Sequence, residues 1–364
     1  MNTPDNNAEK LMMALLQAGL WNSDAPLQSI RPATDDCWAQ VYTLARRQTV
    51  SGIVFRGIEK LNDEQLPNDT LLMLWAADAE NIARANRKMN ATASSLDTLF
   101  TTHGLHPVHL KGQGIAQSYD TPELRQPGDI DLYFPTREEQ AAARAIIAKQ
   151  GIKTSLMPDG STHYLFDGIE VEHHPTLFDL DTPAAQRHLK EIEKRHGYTR
   201  TSIGKQESVT TPAPLPNILQ LNSHILKHAM GKGVGLRQLC DIARAYHTHS
   251  GTIDSYEIKE IYRQTGLERW SKLLHSYLVT HLGMPIDTLP YPETPVTTAP
   301  LTRIVMAGGN FGHYRHGNRA ATTTVRRKLH TAGTFLHNLR FSCHYAPQEA
   351  LWRVLNLIKG QFKC

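Results

Sequence analysis

The stretch KGQGIAQSYDTPELRQPGDIDLYF, from Lys111 to Phe134, contains a glycine-rich turn, a spacer and then two aspartates separated by one isoleucine. We predict a short helix over IAQSYD and a strand over DIDLYF. Residues i and i+2 of a strand point to the same face, so Asp129 and Asp131 are expected to project together. Two neighbouring carboxylates repel and are costly to bury unpaired. Mg²⁺ or Mn²⁺, which prefers oxygen ligands, would remove this cost, and the sequence therefore predicts a metal site.

A second acidic segment, IEVEHH, shows the same alternation. THYLFDG and IEVEHHPTLF are predicted to form two strands joined at Asp167-Gly168, a dipeptide typical of tight hairpins. Within the second strand Glu170, Glu172 and His174 share one face. Spacing alone does not choose between the two glutamates, and either could supply a third carboxylate. Three carboxylates around two cations could clamp the attacking and leaving oxygens of a phosphoryl displacement.

The glycine-rich turn KGQG suits the same chemistry. Backbone N–H groups of such a turn and of the following helix start can hold phosphate oxygens, which makes Gly112, Gln113 and Gly114 candidate nucleotide-binding residues. Lys111 and Arg125 lie on either side and add positive charge. Each motif alone is weak, since glycine turns are common and solvated edge strands explain most DxD sequences. Their occurrence in this order within one small unit favours phosphoryl transfer.

Helical patterns precede and follow this region. The first hundred residues carry apolar residues at three- and four-residue spacing, and one long helix is predicted to have Asp69 as its N-cap and to end at Gly104. KQESVTTPAPLP is a candidate strand, after which helical periodicity resumes. We therefore predict an α+β fold in three parts: an N-terminal helical region over 1–104, an α/β core over 105–212 and a C-terminal helical region over 213–364.

The composition is that of an ordinary soluble chain, with 364 residues of which 40% are hydrophobic and 20% charged. The start, MNTPDNNAEK, lacks the basic and apolar regions of a signal peptide, and no stretch reaches the roughly 18 apolar residues of a membrane span. The four cysteines are scattered without a CxxC pair, at Cys37, Cys240, Cys343 and Cys364. This pattern predicts reduced thiols in the cytoplasm and argues against a thiolate zinc site.

Positive charge is concentrated at the C-terminal end. From Leu301 onward there are ten Lys/Arg and one acidic residue, so this segment carries +9 and the first three hundred residues carry −5 of the net +4. Such a tail suggests a polyanionic partner, whereas the plainer interpretation is a solvated helical surface. Apolar residues recur at helical spacing in FLHNLRF and LWRVLNLI, which favours packed helices.

The order of strand, glycine turn, helix, DIDL and a later acidic strand resembles the minimal core of the DNA polymerase β-like nucleotidyltransferase superfamily. With VEHHPTL and GLRQLCDIARAY downstream, the sequence from about Leu110 to Tyr246 resembles a bacterial branch with the layout LKG…R…GDIDL…E-x-H…LR…D. This resemblance implies a small mixed sheet with helices, flanked by helical regions. It also implies an enzyme that uses Mg²⁺ or Mn²⁺ to move a nucleoside monophosphate from an NTP to an acceptor hydroxyl or phosphate.

Carried over residue by residue, the resemblance assigns Asp129 and Asp131 as the catalytic metal pair and chooses Glu172 as the third carboxylate. It assigns nucleotide binding to a set of six residues: Lys111, Gly112, Gln113, Gly114, Arg125 and Arg237. Gln113 departs from the superfamily pattern, in which the turn is usually Gly-Ser or Gly-Gly. A glutamine side chain offers no hydroxyl to a phosphate.

Several alternatives stay open at this stage. Arg237 could instead form an ion pair with Asp241 four residues later on the same helix. His224 and His228 have the spacing of a zinc-binding pair, but packing or hydrogen bonding is favoured. The acceptor could be RNA or a phosphorylated metabolite. The chain could also be a toxin-like or regulatory nucleotidyltransferase that modifies tRNA or protein, or an inactive nucleotide- or polyanion-binding protein on the same scaffold.

Overall fold

A five-stranded mixed sheet carries both acidic segments in the computed structural model, which describes residues 6–231, 233–291, 296–308 and 338–361. The strands of this sheet are β1 (Val108–Leu110), β2 (Ile130–Tyr133), β3 (Ser155–Leu156), β4 (Thr162–Phe166) and β5 (Ile169–His174). Their spatial order is β1-β2-β5-β4-β3. A separate hairpin pairs β6 (Tyr198–Ser202) with β7 (Ser208–Pro212), and β7 confirms the strand predicted in KQESVTTPAPLP.

Helices surround the sheet, and the α+β class expected from the sequence is confirmed. They are α1 (Asn6–Trp21), α2 (Asp35–Arg47), α3 (Ser51–Ile58), α4 (Asp69–Thr102), α5 (Gly112–Ala116), α6 (Arg137–Lys149), α7 (Pro183–His196), α8 (Pro214–Met230), α9 (Leu236–His249), α10 (Ser255–Gln264), α11 (Glu268–Leu282), α12 (Ala299–Gly308), α13 (Leu339–Tyr345) and α14 (Pro347–Gln361). Among the described residues, no helix is both long and apolar enough to cross a membrane.

The pairing of β2 with β5 positions the acidic residues. These two strands are parallel, and Asp131 lies opposite Glu172 in their register. Parallel neighbours need a long connection, which α6 and the β3–β4 hairpin supply here. The other neighbouring strands of the sheet pair antiparallel.

The predicted hairpin at Asp167-Gly168 is confirmed. β4 and β5 pair antiparallel up to Phe166 and Ile169, so Asp167 and Gly168 form the whole loop. Asp167 has a φ of 51° and Gly168 a φ of 75°. Positive φ at both central residues is the property that makes Asp-Gly suited to a two-residue turn whose twist matches the strands.

The long helix α4 begins one residue earlier than its predicted cap implied. Asn68, not Asp69, is the N-cap, since its side chain accepts a hydrogen bond from the backbone N–H of Leu71 at 3.0 Å. Asp69 is the first helical residue, where a carboxylate still interacts favourably with the helix dipole. Gly104 ends the helix as predicted: it has a φ of 74°, and Leu105 N–H bonds back to the carbonyl of Phe100.

Two hydrophobic clusters hold these layers together. The larger one joins the N-terminal helices to the C-terminal ones, through residues such as Leu15 on α1, Leu239 on α9 and Leu274 on α11. The smaller one packs α4 and α6 against the sheet, for example through Phe100 and Leu132. The two predicted helical regions therefore share one core, and the three-part division of the chain remains a prediction.

The described part of the C-terminal segment packs on the body of the protein. Tyr345 at the end of α13 and Ala350 on α14 are buried in the larger cluster. Most of the basic residues, Arg315, Arg319, Arg326, Arg327, Lys328 and Lys363, lie outside the described residues. Among the described residues, Cys37, Cys240 and Cys343 form no disulfide bonds.

Candidate active site

Seven of the nine residues predicted to bind metal or nucleotide line one cleft. This cleft, with a volume of about 190 Å³, lies between the sheet, the turn after β1 and helices α8 and α9. Its lining includes Lys111, Gly112, Arg125, Asp129, Asp131, Glu172 and Arg237. Gln113 and Gly114 are not among its lining residues.

Asp131, Glu172 and His174 form a compact group at the sheet side of the cleft. His174 Nε2 lies 2.6 Å from Asp131 Oδ1, and its Nδ1 lies 3.7 Å from Glu172 Oε1. One ligand atom from each of the three residues lies within 4.8 Å of the others. Carboxylate oxygens suit Mg²⁺ and Mn²⁺, and an imidazole nitrogen is tolerated by the latter, so this group fits a divalent cation.

Asp129, immediately before β2, faces the same cleft and interacts unfavourably with its neighbour. The negative charge of Asp131, together with burial, raises the pKa of Asp129 to about 6, although Lys111 and Arg237 oppose this shift. Two carboxylates that cannot easily ionise together are the arrangement that a bound cation relieves. This observation supports the predicted pairing of Asp129 and Asp131 toward one site.

Asp131 itself stays ionised because a lysine and a histidine contact it. Burial alone would raise its pKa, but Lys111 and His174 outweigh burial and hold the pKa of Asp131 well below its usual range. Lys111 Nζ lies 3.2 Å from Asp131 Oδ2, on the opposite oxygen from His174. Both oxygens of this carboxylate therefore have a partner within the protein.

The glycine turn differs in detail from its prediction. α5 starts at Gly112, earlier than the predicted IAQSYD, and the residue before it, Lys111, has a φ of 51° and a ψ of −132°. Gln113 points away from the cleft and hydrogen-bonds to Asn86 and Asn90 of α4. At Gly114 an added Cβ would lie 2.7 Å from Thr211 Cγ2. Gln113 and Gly114 thus anchor the turn from behind, and their nucleotide contacts stay a prediction.

The two predicted arginines have different environments. Arg125 is buried and binds Asp241 through two hydrogen bonds, Nε to Oδ1 at 2.7 Å and Nη2 to Oδ2 at 2.8 Å. Tyr119 donates a further hydrogen bond to Asp241 Oδ1. The positive charge of Arg125 is therefore already neutralised by Asp241. Arg125 supports α9 and the loop before β2 as well as lining the cleft.

Arg237 is the less satisfied of the two. It donates to the backbone carbonyls of Gln126 at 3.1 Å and Pro127 at 3.2 Å, and its buried Nε has no hydrogen-bond partner. In the described part of the chain no carboxylate lies within salt-bridge distance of its guanidinium, so the alternative intrahelical ion pair with Asp241 is not formed. A buried guanidinium that faces a cleft without a counter-ion is suited to bind an anion.

The opposite wall, on α8, is supported from behind by a carboxylate that the sequence did not reveal, Asp179 of the segment between β5 and α7. Asp179 accepts hydrogen bonds from His224 Nδ1 at 2.8 Å and from Lys227 Nζ at 2.6 Å. The rings of His224 and His228 contact each other with centroids 4.4 Å apart. The hydrogen-bonding and packing role favoured for these histidines is confirmed. Asp179 carries no spacing signal, because it acts through residues about 45 positions away.

The whole of this site falls within a match to a known protein family. Residues 34–283 match the family model described as uncharacterised nucleotidyltransferase. The chain belongs to this family. No curated protein and no solved structure matches it.

In this nucleotidyltransferase the match includes all seven strands and every cleft residue named above. The nucleotidyltransferase family suggested by the sequence motifs is thereby confirmed, whereas the bacterial branch and its specific layout remain a resemblance. His174 is the residue whose part in the site the sequence understated, since its face was predicted but its contact with Asp131 was not.

Proposed function

We propose that this nucleotidyltransferase moves a nucleoside monophosphate from an NTP to an acceptor hydroxyl or phosphate, using Mg²⁺ or Mn²⁺. The observation that carries the proposal is the β2–β5 register, which sets Asp131 beside Glu172. Both carboxylates face the cleft that contains Asp129 and the guanidinium of Arg237, which has no salt-bridge partner in the described part of the chain. An acidic cluster and an anion-binding group in one cleft match the two needs of a metal–triphosphate complex.

The metal ligands in this proposal are Asp129, Asp131 and Glu172, with His174 in contact with Asp131. A divalent cation held by them would neutralise charge on the phosphate oxygens and polarise the reacting phosphoryl group. His174 lies opposite Tyr133 in the β2–β5 register, two residues beyond the Asp131–Glu172 pair, and orients the carboxylate of Asp131 through a 2.6 Å contact.

The residues of the phosphate side are Lys111, Gly112 and Arg237. Arg237 projects from α9 into the cleft, and its guanidinium rests against Gly128, where a side chain would crowd it at 3.3 Å. A planar guanidinium presents several N–H donors at once and suits phosphate oxygens. Arg125 holds the loop in front of Asp129 in place through Asp241. The chain therefore contributes mainly positioning and charge.

In the proposed reaction an acceptor oxygen forms a bond to the α-phosphorus of the NTP. The bond from that phosphorus to the bridging oxygen breaks, and pyrophosphate leaves with the electron pair. The proton of an acceptor hydroxyl passes to a base in the cleft. Glu172 is the carboxylate we assign to this role, since its side chain is the more accessible of the β2–β5 pair, 21% exposed against 7% for Asp131.

The test is incubation of the purified protein with each α-³²P-labelled NTP, Mg²⁺ or Mn²⁺, and an extract of cells. Labelling of a macromolecule or metabolite by the wild type, and its loss in Asp131→Asn, is the expected result. Glu170→Gln is a matched control, because Glu170 lies on the same strand but is exposed and outside the cleft lining. Equal labelling by Asp131→Asn and the wild type would overturn the proposal, while NTP binding without any transfer would favour an inactive nucleotide-binding protein.

RNA is the acceptor class that the charge distribution favours. The second candidate function is therefore that of a toxin-like or regulatory nucleotidyltransferase that modifies tRNA. The observation is the +9 charge after Leu301. Binding through phosphate contacts weakens steeply with salt. We expect total tRNA to bind in a filter assay and to bind less at higher salt, and neutralising Arg326, Arg327 and Lys328 together to flatten that dependence. No tRNA binding by the wild type would leave a phosphorylated metabolite or a protein as the acceptor. A cytoplasmic location is supported by the scattered cysteines, of which the three in the described residues form no disulfide.

A further inference from the structure

Lys111 occupies an unusual position in the cleft. Its ammonium lies 3.2 Å from Asp131 Oδ2 on the sheet wall and 3.5 Å from His224 Nδ1 on the α8 wall. Its side chain is only 11% exposed. The ammonium therefore lies beside the carboxylates that would bind a metal, in direct contact with one of them.

The backbone at this position indicates that the side chain is needed there. Lys111 has a φ of 51°, in the left-handed region that favours glycine. The next residue, Gly112, also has a positive φ, of 42°. Strained backbone at a non-glycine residue persists only where the surroundings impose it, and it is concentrated at functional sites. A glycine at position 111 would satisfy the turn but would remove the ammonium.

We propose that the Lys111 ammonium is a built-in counter-ion of Asp131, which a divalent cation displaces and which then binds the phosphates of the incoming NTP. This inference rests on the proposed function. Each binding event assists the other, because the metal frees the lysine for phosphate and phosphate frees Asp131 for the metal. Coupling of this kind is reciprocal by thermodynamic necessity. The site would consequently take up metal and nucleotide together and bind either alone only weakly.

Two features of the cleft make such an exchange feasible. Asp131 has His174 on its other oxygen, so it keeps one stabilising partner when Lys111 leaves. The ammonium in turn is already in contact with His224, whose partner is Asp179, so it does not have to cross an apolar region. A lysine on a flexible four-carbon stem can shift between partners more readily than a bidentate arginine.

The first arm of the test measures Mn²⁺ affinity without nucleotide, from the electron paramagnetic resonance signal of free Mn²⁺. We expect Lys111→Met to bind Mn²⁺ about tenfold more tightly than the wild type. Lys111→Gly removes the same charge and also relieves the backbone strain of the positive φ at position 111. It therefore serves as the test variant if Lys111→Met folds poorly. Lys227→Met is the matched control: Lys227 also lines the cleft, but it pairs with Asp179.

The outcomes separate the competing explanations. Tighter Mn²⁺ binding in both Lys111 variants, with Lys227→Met near the wild type, supports displacement. Unchanged or weaker binding in the Lys111 variants would mean that the ion pair is only structural, and equal tightening in Lys227→Met would mean a general charge effect. Either result overturns the inference.

A second arm measures binding of radiolabelled α,β-methylene analogues of the four common NTPs by equilibrium dialysis, with EDTA or with Mn²⁺. The wild type should bind its preferred analogue more tightly with Mn²⁺, and Lys111→Met should bind it weakly in both buffers. Equal wild-type affinity in the two buffers overturns the coupling. If no analogue binds although the Lys111 variants bind Mn²⁺ more tightly, the proposed function fails while the metal–lysine competition stands. Absence of Mn²⁺ binding in all proteins would overturn both.

Discussion

Replacing Asp129 with asparagine should stabilise the protein when metal is removed by EDTA. The charge of Asp131 is the largest cause that raises the pKa of Asp129, from 3.8 to about 6. One pKa unit corresponds to about 1.4 kcal/mol, so ionised Asp129 costs the folded state on the order of 3 kcal/mol above pH 6. Asp129 is only partly buried, and solvent screening reduces this figure. We expect Asp129→Asn to raise the free energy of unfolding by about 1–2 kcal/mol at pH 8.

The sign and the pH range of this effect follow from proton linkage. Between pH 3.8 and about 6 the folded wild type binds a proton at Asp129 that the unfolded chain does not bind. The wild type therefore gains stability as the pH falls through this range, and loses it as the pH rises. Asp129→Asn lacks this dependence, so its advantage should be full above pH 6 and should vanish near pH 4.

Urea denaturation in EDTA, followed by far-ultraviolet circular dichroism at pH 4, 5, 6 and 8, measures the difference. Asp131→Asn is the matched control with the opposite expected sign, because Asp131 is paired with Lys111 and His174 and its removal leaves a buried ammonium uncompensated. Destabilisation by Asp129→Asn at every pH, or stabilisation by Asp131→Asn, would refute the assigned charge balance of the cleft.

Four further substitutions probe the site and its supports. Glu172→Gln should lower the rate of nucleotidyl transfer by about 100-fold. Glu170→Gln should leave this rate unchanged, because Glu170 lies outside the cleft. Equal losses in labelled-NTP assays of the two variants would mean that the register of β5 is misassigned. Asp241→Asn should destabilise the fold by about 3–5 kcal/mol by breaking the buried pair with Arg125, and a smaller loss in urea denaturation would contradict that role. Glu349→Gln should lower the unfolding free energy by about 1–3 kcal/mol, because the buried carboxylate accepts two backbone N–H bonds at the start of α7; an unchanged urea midpoint would speak against this contact.

The sequence predicted those features that depend on local backbone geometry. Alternation in DIDL placed Asp131 on one face with Asp129, and alternation in IEVEHH placed Glu172 on one face with His174. Asp167-Gly168 specified the loop between β4 and β5, since few dipeptides tolerate positive φ at both positions. The sequence analysis did not predict strands β3 and β6, because it depends on local patterns that these strands lack. Their residues are mostly exposed or half-buried, so no hydrophobic alternation marks them.

The sequence by itself therefore determined the family, the α+β class and the acidic faces, because each of these is encoded within a few residues or one motif order. Only the tertiary structure decided which charges meet. Arg125 pairs with Asp241, 116 residues away, and Asp179 with His224, 45 residues away. It also showed that Lys111 neutralises Asp131 but leaves Asp129 repelled, although the DxD pattern treats the two aspartates alike. The physical reason is that periodicity fixes which face a side chain occupies, whereas its electrostatic partner depends on the element that packs against that face.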